Sequence, residues 1–161
     1  MATLTTTVTE SLTLNGKDQG STYTESNSTS VTQSYKRIIG CHLDIRHELF
    51  GLVATGGIAG AFDFDQGSLQ YIRITNLHTT RLNLIFNNHK TDGSADQGTA
   101  VVVPPGKSFM FYGYIEAQAS AITQAEAANP ISYGAVVVCY GLFDDTSAGN
   151  VEIFVAVNAD A

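Results

Sequence analysis

Short runs of strand-forming residues, separated by turn-forming residues, constrain the fold of this sequence more than any other feature. In the clearest run, LQYIRITNL, Leu69, Tyr71 and Arg73 lie on one face, and Ile72 and Ile74 lie on the other. Alternation with a period of two is typical of a half-buried β-strand, because successive side chains point to opposite faces of a sheet. We predict nine such strands, at 35–43, 48–54, 61–65, 69–77, 82–87, 100–103, 108–114, 132–140 and 151–157.

Several short strands with turn signals between them predict an all-β fold, a β-sandwich or jelly-roll, which we place at 35–161. The chain has 161 residues, enough for one domain that buries its own core. The Ala-rich segment 117–128 departs from the strand pattern. Because Ala is the best helix former, we predict a short helix there that ends before Pro130.

The first 34 residues differ in composition from the rest, with 16 Ser or Thr, one Lys and no Arg. Alternating apolar residues in ATLTTTVTESLTLN predict short strands, and Asn15-Gly16 predicts a tight turn. Segment 20–33 has almost no apolar side chain to bury. We therefore predict that residues 1–34 form an extended N-terminal arm that a neighbouring subunit orders.

Spaced apolar side chains distinguish such an arm from a flexible tail, which is the alternative interpretation. A purely solvating tail has no use for Leu4, Val8, Leu12 and Leu14. We predict these four as interface residues and add Tyr23, the only aromatic residue of the arm.

The densest aromatic cluster lies near residue 110. Phe109 and Phe111 share one face of the predicted strand, and Met110 and Tyr112 share the other. One face would belong to the core, and the second face is either plain sheet surface or a subunit interface, where Tyr and Met are enriched. We add Met110 and Tyr112 to the predicted interface.

Charged residues make up only 14% of the chain, against about a quarter in typical domains. A partner can cover such a surface without leaving charges buried and unpaired, which favours a component of an assembly. The net charge of −7 argues against nucleic-acid binding, which needs a basic surface. Neither a signal peptide nor a membrane-spanning stretch is predicted, so no membrane partner is expected.

No motif for catalysis is recognised. Cys41 and Cys139 lie in apolar strands and are predicted to be buried free thiols, with a disulfide as the alternative. The four histidines have no metal-site spacing, and Asp63 and Asp65 lack the further ligands of a calcium loop. We predict a protein that is not an enzyme and needs no cofactor and no metal.

Four segments of the chain carry a family resemblance. TTTVTESLTLNGKDQGST, YKRII, YIRITNL and PPGKSF resemble small structural proteins of tailed bacteriophages, especially marine and cyanobacterial phages. The resemblance covers both ends of the first two-thirds of the chain, and its motifs mark turns and strands rather than chemistry. It implies a virion component with an all-β body and an arm that reaches a neighbour.

The expected function is therefore that of a non-enzymatic virion protein, assembled in the bacterial cytoplasm. The resemblance favours a capsid decoration or cement protein, a homo-oligomer with a trimer preferred, whose partners are the major capsid protein or other virion proteins. One alternative is a head–tail connector, tail or fibre accessory protein. Another is a glycan-binding host-recognition module, with Tyr112, Tyr114, Asp144 and Asp145 as its nearest candidate residues.

Overall fold

The computed structural model describes residues 2–42, 45–53, 63–65, 68–90, 97–112, 133–143 and 148–158. The helix predicted at 117–128 lies outside these residues, as do Tyr114, Asp144 and Asp145. The described part of the chain is all-β, which confirms that part of the predicted fold.

Thirteen strands follow one another along the described chain. They are β1 (Ala2–Thr9), β2 (Thr13–Leu14), β3 (Lys17–Asp18), β4 (Thr22–Val31), β5 (Gln33–Cys41), β6 (His47–Val53), β7 (Asp63–Asp65), β8 (Leu69–Asn76), β9 (Leu82–Lys90), β10 (Gln97–Val103), β11 (Ser108–Tyr112), β12 (Tyr133–Phe143) and β13 (Gly149–Val157). Each of the nine strands predicted after residue 34 overlaps one of β5 to β13.

Two larger sheets hold the strands that follow the arm. One sheet has five strands in the order β10-β9-β12-β6-β7, and the other has four in the order β11-β8-β13-β5. Neighbouring strands are antiparallel, except that β6 and β7 are parallel. The chain changes sheet repeatedly, so strands that are neighbours in sequence are rarely neighbours in a sheet.

The two larger sheets share one hydrophobic core. Alternate residues of the four-stranded sheet, such as Ile72, Ile74 and Ile153, are buried together with Leu82 and Leu84 of the five-stranded sheet. Burying a side chain of this size contributes about 1.5–3 kcal/mol. The inner faces of both sheets therefore supply the main stabilising contacts of the body.

Strand β8 departs from the simple alternation that its sequence predicts. Leu69 and Tyr71 are both buried, but they belong to different clusters: Leu69 to the core and Tyr71 to the opposite face of the sheet. The prediction that they share a face was wrong. The pairing with β13 shifts register between Ala156 and Val157, so Leu69 and Tyr71 face adjacent residues of β13 and point to opposite sides.

Candidate functional site

The arm is an antiparallel ribbon. Strand β1 pairs with β4, from Leu4 opposite Asn27 to Thr9 opposite Thr22. The Thr-rich sequence suits this geometry, because β-branched side chains fit a pleated surface. Its strands of eight and ten residues are longer than the short strands predicted.

The ribbon ends in the turn that the sequence predicts. Asn15 and Gly16 have φ angles of 52° and 73°, and β2 pairs with β3 on either side of them. Positive φ at both central residues is the signature of a two-residue type I′ hairpin turn, for which Asn-Gly is preferred. The Asn-Gly pair therefore fixes the tip of the arm.

Hydrogen bonds also join the two sides of the ribbon in the stretch between the β1–β4 pair and the β2–β3 tip. Glu10 N donates to Ser21 O at 2.7 Å, and Gly20 N donates to the Asp18 side chain at 2.8 Å. A Cβ atom on Gly20 would lie 2.1 Å from Glu10 O, so only glycine fits there. The ribbon thus continues across the irregular stretch between its long strands and its tip.

The outer half of the arm is exposed. All residues from Thr9 to Gln19 are exposed, and the exposed fractions of Leu12 and Leu14 are 56% and 58%. Tyr23 is also 58% exposed and lies opposite Val8, which is half-buried. The arm therefore presents three large apolar side chains to solvent along an ordered ribbon.

The base of the arm packs on the outer face of the four-stranded sheet. Val31 is buried with Tyr71 and Ala156, and Leu4 and Met110 pack against this group. The structure thus brings two predicted interface residues, Leu4 and Met110, into one cluster within the chain.

Tyr112, the last predicted interface residue, ends β11 opposite Tyr71, and its side chain lies outside the described part. The sequence reasoning missed Val31 as an anchor of the arm. Val31 is the only aliphatic residue between Gly20 and Gln33, and that isolation in a polar segment is a usable signal.

A charged cluster lies beside the arm base on the same sheet face. Glu152 on β13 is 3.0 Å from both Lys36 Nζ on β5 and Arg73 Nη2 on β8. The hydrogen bond from Lys36, helped by Arg73, holds the pKa of Glu152 below its usual value. Arg73 also lies 5.7 Å from the centre of the Phe154 ring, within cation–π range.

A small cavity opens where β5 meets β7. Its volume is about 250 Å³, and it is lined by Tyr35, Lys36, Arg37, Asp63, Phe64, Ile153 and Val155. The rings of Tyr35 and Phe64 are 5.5 Å apart. Arg37 donates to Leu49 O, and partial burial lowers the pKa of its guanidinium. The cavity therefore combines two aromatic walls with an acid and two cations.

Neither cysteine has the low thiol pKa of a catalytic nucleophile. Burial raises the pKa of the Cys41 thiol to about 11 and raises that of Cys139 as well, so both thiols stay protonated near neutral pH. No group of three His, Cys, Asp or Glu side chains that could hold a metal ion occurs among the described residues. Within the same residues, no helix is both long and apolar enough to cross a membrane.

Comparison with known proteins adds no relative. No family model, no curated protein and no solved structure matches this chain. The exposed arm is therefore the strongest candidate functional surface on structural grounds alone.

Proposed function

We propose that this protein is a non-enzymatic structural component of a tailed-phage virion, and that its N-terminal arm binds a neighbouring subunit. The virion setting rests on the sequence resemblance, and one observation carries the role of the arm. Leu12, Leu14 and Tyr23 are more than half exposed on an arm whose strands are paired. An isolated two-stranded ribbon is only marginally stable in water. A partner that covers the apolar residues along such a ribbon would therefore increase its stability.

We further propose that the body is a jelly-roll. Strands β5, β8, β11 and β13 form one sheet, and β6, β9, β10 and β12 form the other with β7 at its edge. Eight antiparallel strands divided in this way between two sheets support a double Greek key, an architecture used by viral capsid proteins and lectins. The fold alone does not assign a function, so the proposal depends on the arm.

The exposed leucines can supply binding energy of a useful size. Fully burying one leucine contributes about 1.5–3 kcal/mol, which corresponds to roughly a 10- to 100-fold change in affinity. Leu12 and Leu14 flank Thr13 at the tip, and all three side chains are exposed. A partner that covers the tip would therefore bury both leucines in one contact.

The experiment compares arm variants in particles of the phage that encodes the chain. Leu12→Asp with Leu14→Asp should reduce the incorporated copies at least about tenfold, since each change would bury a charge in the contact. Thr13→Asp, between the two leucines, is the matched control for charge at the tip. Unchanged incorporation after deletion of residues 1–34 would overturn the proposed role of the arm.

Within the virion we favour a capsid decoration protein that binds the major capsid protein and assembles as a symmetric homo-oligomer, preferably a trimer. A head–tail connector, tail or fibre accessory protein is the alternative within the same class. Copy number per particle separates them: hundreds of copies favour decoration of the capsid, and a dozen or fewer favour the neck, fibre or baseplate.

One observation favours a second candidate, a glycan-binding module. The cavity between β5 and β7 joins the Tyr35–Phe64 pair to Asp63 and Arg37, and aromatic walls with a few polar groups are typical of small-ligand sites. Its volume of about 250 Å³ would suit a single sugar unit. A glycan array would test this: specific binding that Phe64→Ala removes would support the module, and an array without hits would exclude it.

A further inference from the structure

The edges of the sheets differ in how they are protected. Apart from the two-residue strands of the tip, six described strands lie at a sheet edge: β1, β4, β5, β7, β10 and β11. An edge strand presents unpaired backbone groups to any other strand. Proteins therefore protect edges with charges, proline or short strands, and an edge without these devices is available for pairing.

Four of these six edges carry a protective device. Strand β4 contains Glu25, and β5 contains Lys36 and Arg37. Strand β7 has only three residues, two of which are Asp63 and Asp65, and β11 has only five residues. Pairing of these edges with another chain is disfavoured by charge or by length.

Strands β1 and β10 carry no such device. Their sequences, ATLTTTVT and QGTAVVV, contain no charged residue and no proline, and they are eight and seven residues long. On β10, Val102 is 52% exposed. The two unprotected edges therefore match in length within one residue and in their lack of charge.

The surface around β10 suits a neighbouring strand. On the outward face of the five-stranded sheet, Val102 and Leu142 lie on either side of Asn83, and Ala100 and Tyr140 lie on either side of Ile85. None of these six residues is charged. The outward face of the four-stranded sheet, by contrast, holds the Lys36–Glu152–Arg73 cluster and the base of the chain's own arm.

We propose that β1 of one copy adds to the edge of β10 in a second copy of this chain. The inference rests on the proposed function of the arm and names its partner. Within one chain β1 pairs with β4, and β10 pairs with β9, so each strand keeps its present neighbour and gains a second one. Such a contact joins two different surfaces, and repeated contacts of this kind close into a ring or extend as a filament.

Two matched pairs of lysine variants test the contact in the full-length chain, with self-association measured by sedimentation equilibrium. Val102→Lys places a charge on β10, and Ile38→Lys is its control, because Ile38 is 59% exposed on the edge strand β5. Thr7→Lys places a charge on β1, and Thr24→Lys is its control. Thr7 and Thr24 share one hydrogen bond, so both variants lose it equally.

The proposal expects Val102→Lys and Thr7→Lys each to weaken self-association at least about tenfold, while both controls stay within about twofold of the unmodified chain. Equal weakening by Val102→Lys and Ile38→Lys would overturn it. Loss of association with Val102→Lys but not with Thr7→Lys would assign the contact to β10 paired with β10 and would also overturn it.

The outcome is distinguishable from failure of the proposed function. If the chain stays monomeric to about 100 μM while particle incorporation requires residues 1–34, the arm binds another virion protein and only the present inference falls. If the chain self-associates through β1 and β10 but enters particles without its arm, the contact stands and the proposed role of the arm in incorporation falls.

Discussion

Arg73 Nη2 on β8 lies 3.0 Å from Glu152 Oε1 on the neighbouring strand β13. Lys36 on β5 binds the second carboxylate oxygen of Glu152 at the same distance. One carboxylate therefore links three adjacent strands of the four-stranded sheet, beside the cluster on which the arm base packs. The ion pairs and the arm base therefore lie side by side on this face of the sheet.

This relationship predicts an acid-dependent loss of stability. The pKa of Glu152 is lower in the folded than in the unfolded chain, mainly because Lys36 donates a hydrogen bond to it. Its contribution is therefore fully present above the unfolded pKa of about 4.3 and is lost as the pH falls through the lower, folded value. Glu152→Gln should destabilise the protein at pH 7, and the difference from the unmodified protein should shrink below about pH 4.

Urea unfolding at pH 7 and at pH 3 measures that difference. Glu10→Gln is the control, because Glu10 is exposed and Gln keeps an oxygen to accept the hydrogen bond from Ser21 Oγ. A Glu152→Gln effect of equal size at both pH values would contradict the assignment.

Among the described polar side chains, we expect Asn76 to cause the largest loss of stability when it is replaced. It is fully buried at the end of β8, where its Nδ2 donates to Val103 O at 3.0 Å and to Thr80 O at 2.7 Å. Its Oδ1 accepts a hydrogen bond from His78 N at 2.9 Å. Asn76→Ala leaves the buried Val103 O and two partly buried backbone groups without their partner. It should lower the free energy of unfolding by about 3 kcal/mol.

The exposed Asn150 is the control, since Asn150→Ala should change stability by less than about 0.5 kcal/mol. Thermal and urea unfolding of both variants give the comparison. An effect of Asn76→Ala below about 1 kcal/mol would show that water or backbone movement replaces its hydrogen bonds.

Local patterns predicted the strands and the arm turn, because both depend on neighbouring residues. Alternation and turn formers located the strands, and Asn15-Gly16 located the tip of the arm. Strand partners were not predictable, since pairing β5 with β13 joins segments that are far apart in sequence. The role of Val31 depends in the same way on Tyr71 and Ala156, which no local pattern links to it.

The burial of both cysteines predicts that their thiols react slowly unless the core opens. Cys41 and Cys139 are fully buried, and desolvation raises both thiol pKa values, that of Cys41 to about 11. An aromatic disulfide reagent at pH 8 should therefore modify the native protein at least about 1,000-fold more slowly than the unfolded chain. Thr79→Cys, exposed in the loop between β8 and β9, supplies a fast-reacting control.

The same thiols predict a loss of stability in alkaline solution. Their pKa values are higher in the folded chain, so the unfolded chain releases its thiol protons first, from about pH 8.5 upward. The unfolded state then binds fewer protons, and the free energy of unfolding falls as the pH rises. Cys139→Ala should reduce this slope between about pH 8.5 and 10, and an unchanged slope would contradict the prediction.

Substitution of Gly20 should disorder the arm and leave the two larger sheets unchanged. A Cβ atom at this position would meet a backbone oxygen, Glu10 O, at 2.1 Å, so Gly20→Ala must separate the two halves of the ribbon near residue 20. Gly40→Ala is the control, because its nearest contact would be an ordinary 3.8 Å from Asn150 Oδ1. Hydrogen exchange should show faster exchange at Glu10 and Gln19, whose amides donate to Ser21 O and Leu12 O, with unchanged exchange in β13.

The same Gly20→Ala variant can be tested for incorporation into particles. Because Leu12 and Leu14 stay in the sequence, a matching fall in particle incorporation would mean that a partner recognises the ordered ribbon. Full incorporation despite faster exchange would mean that the apolar side chains suffice and that the ribbon forms on binding.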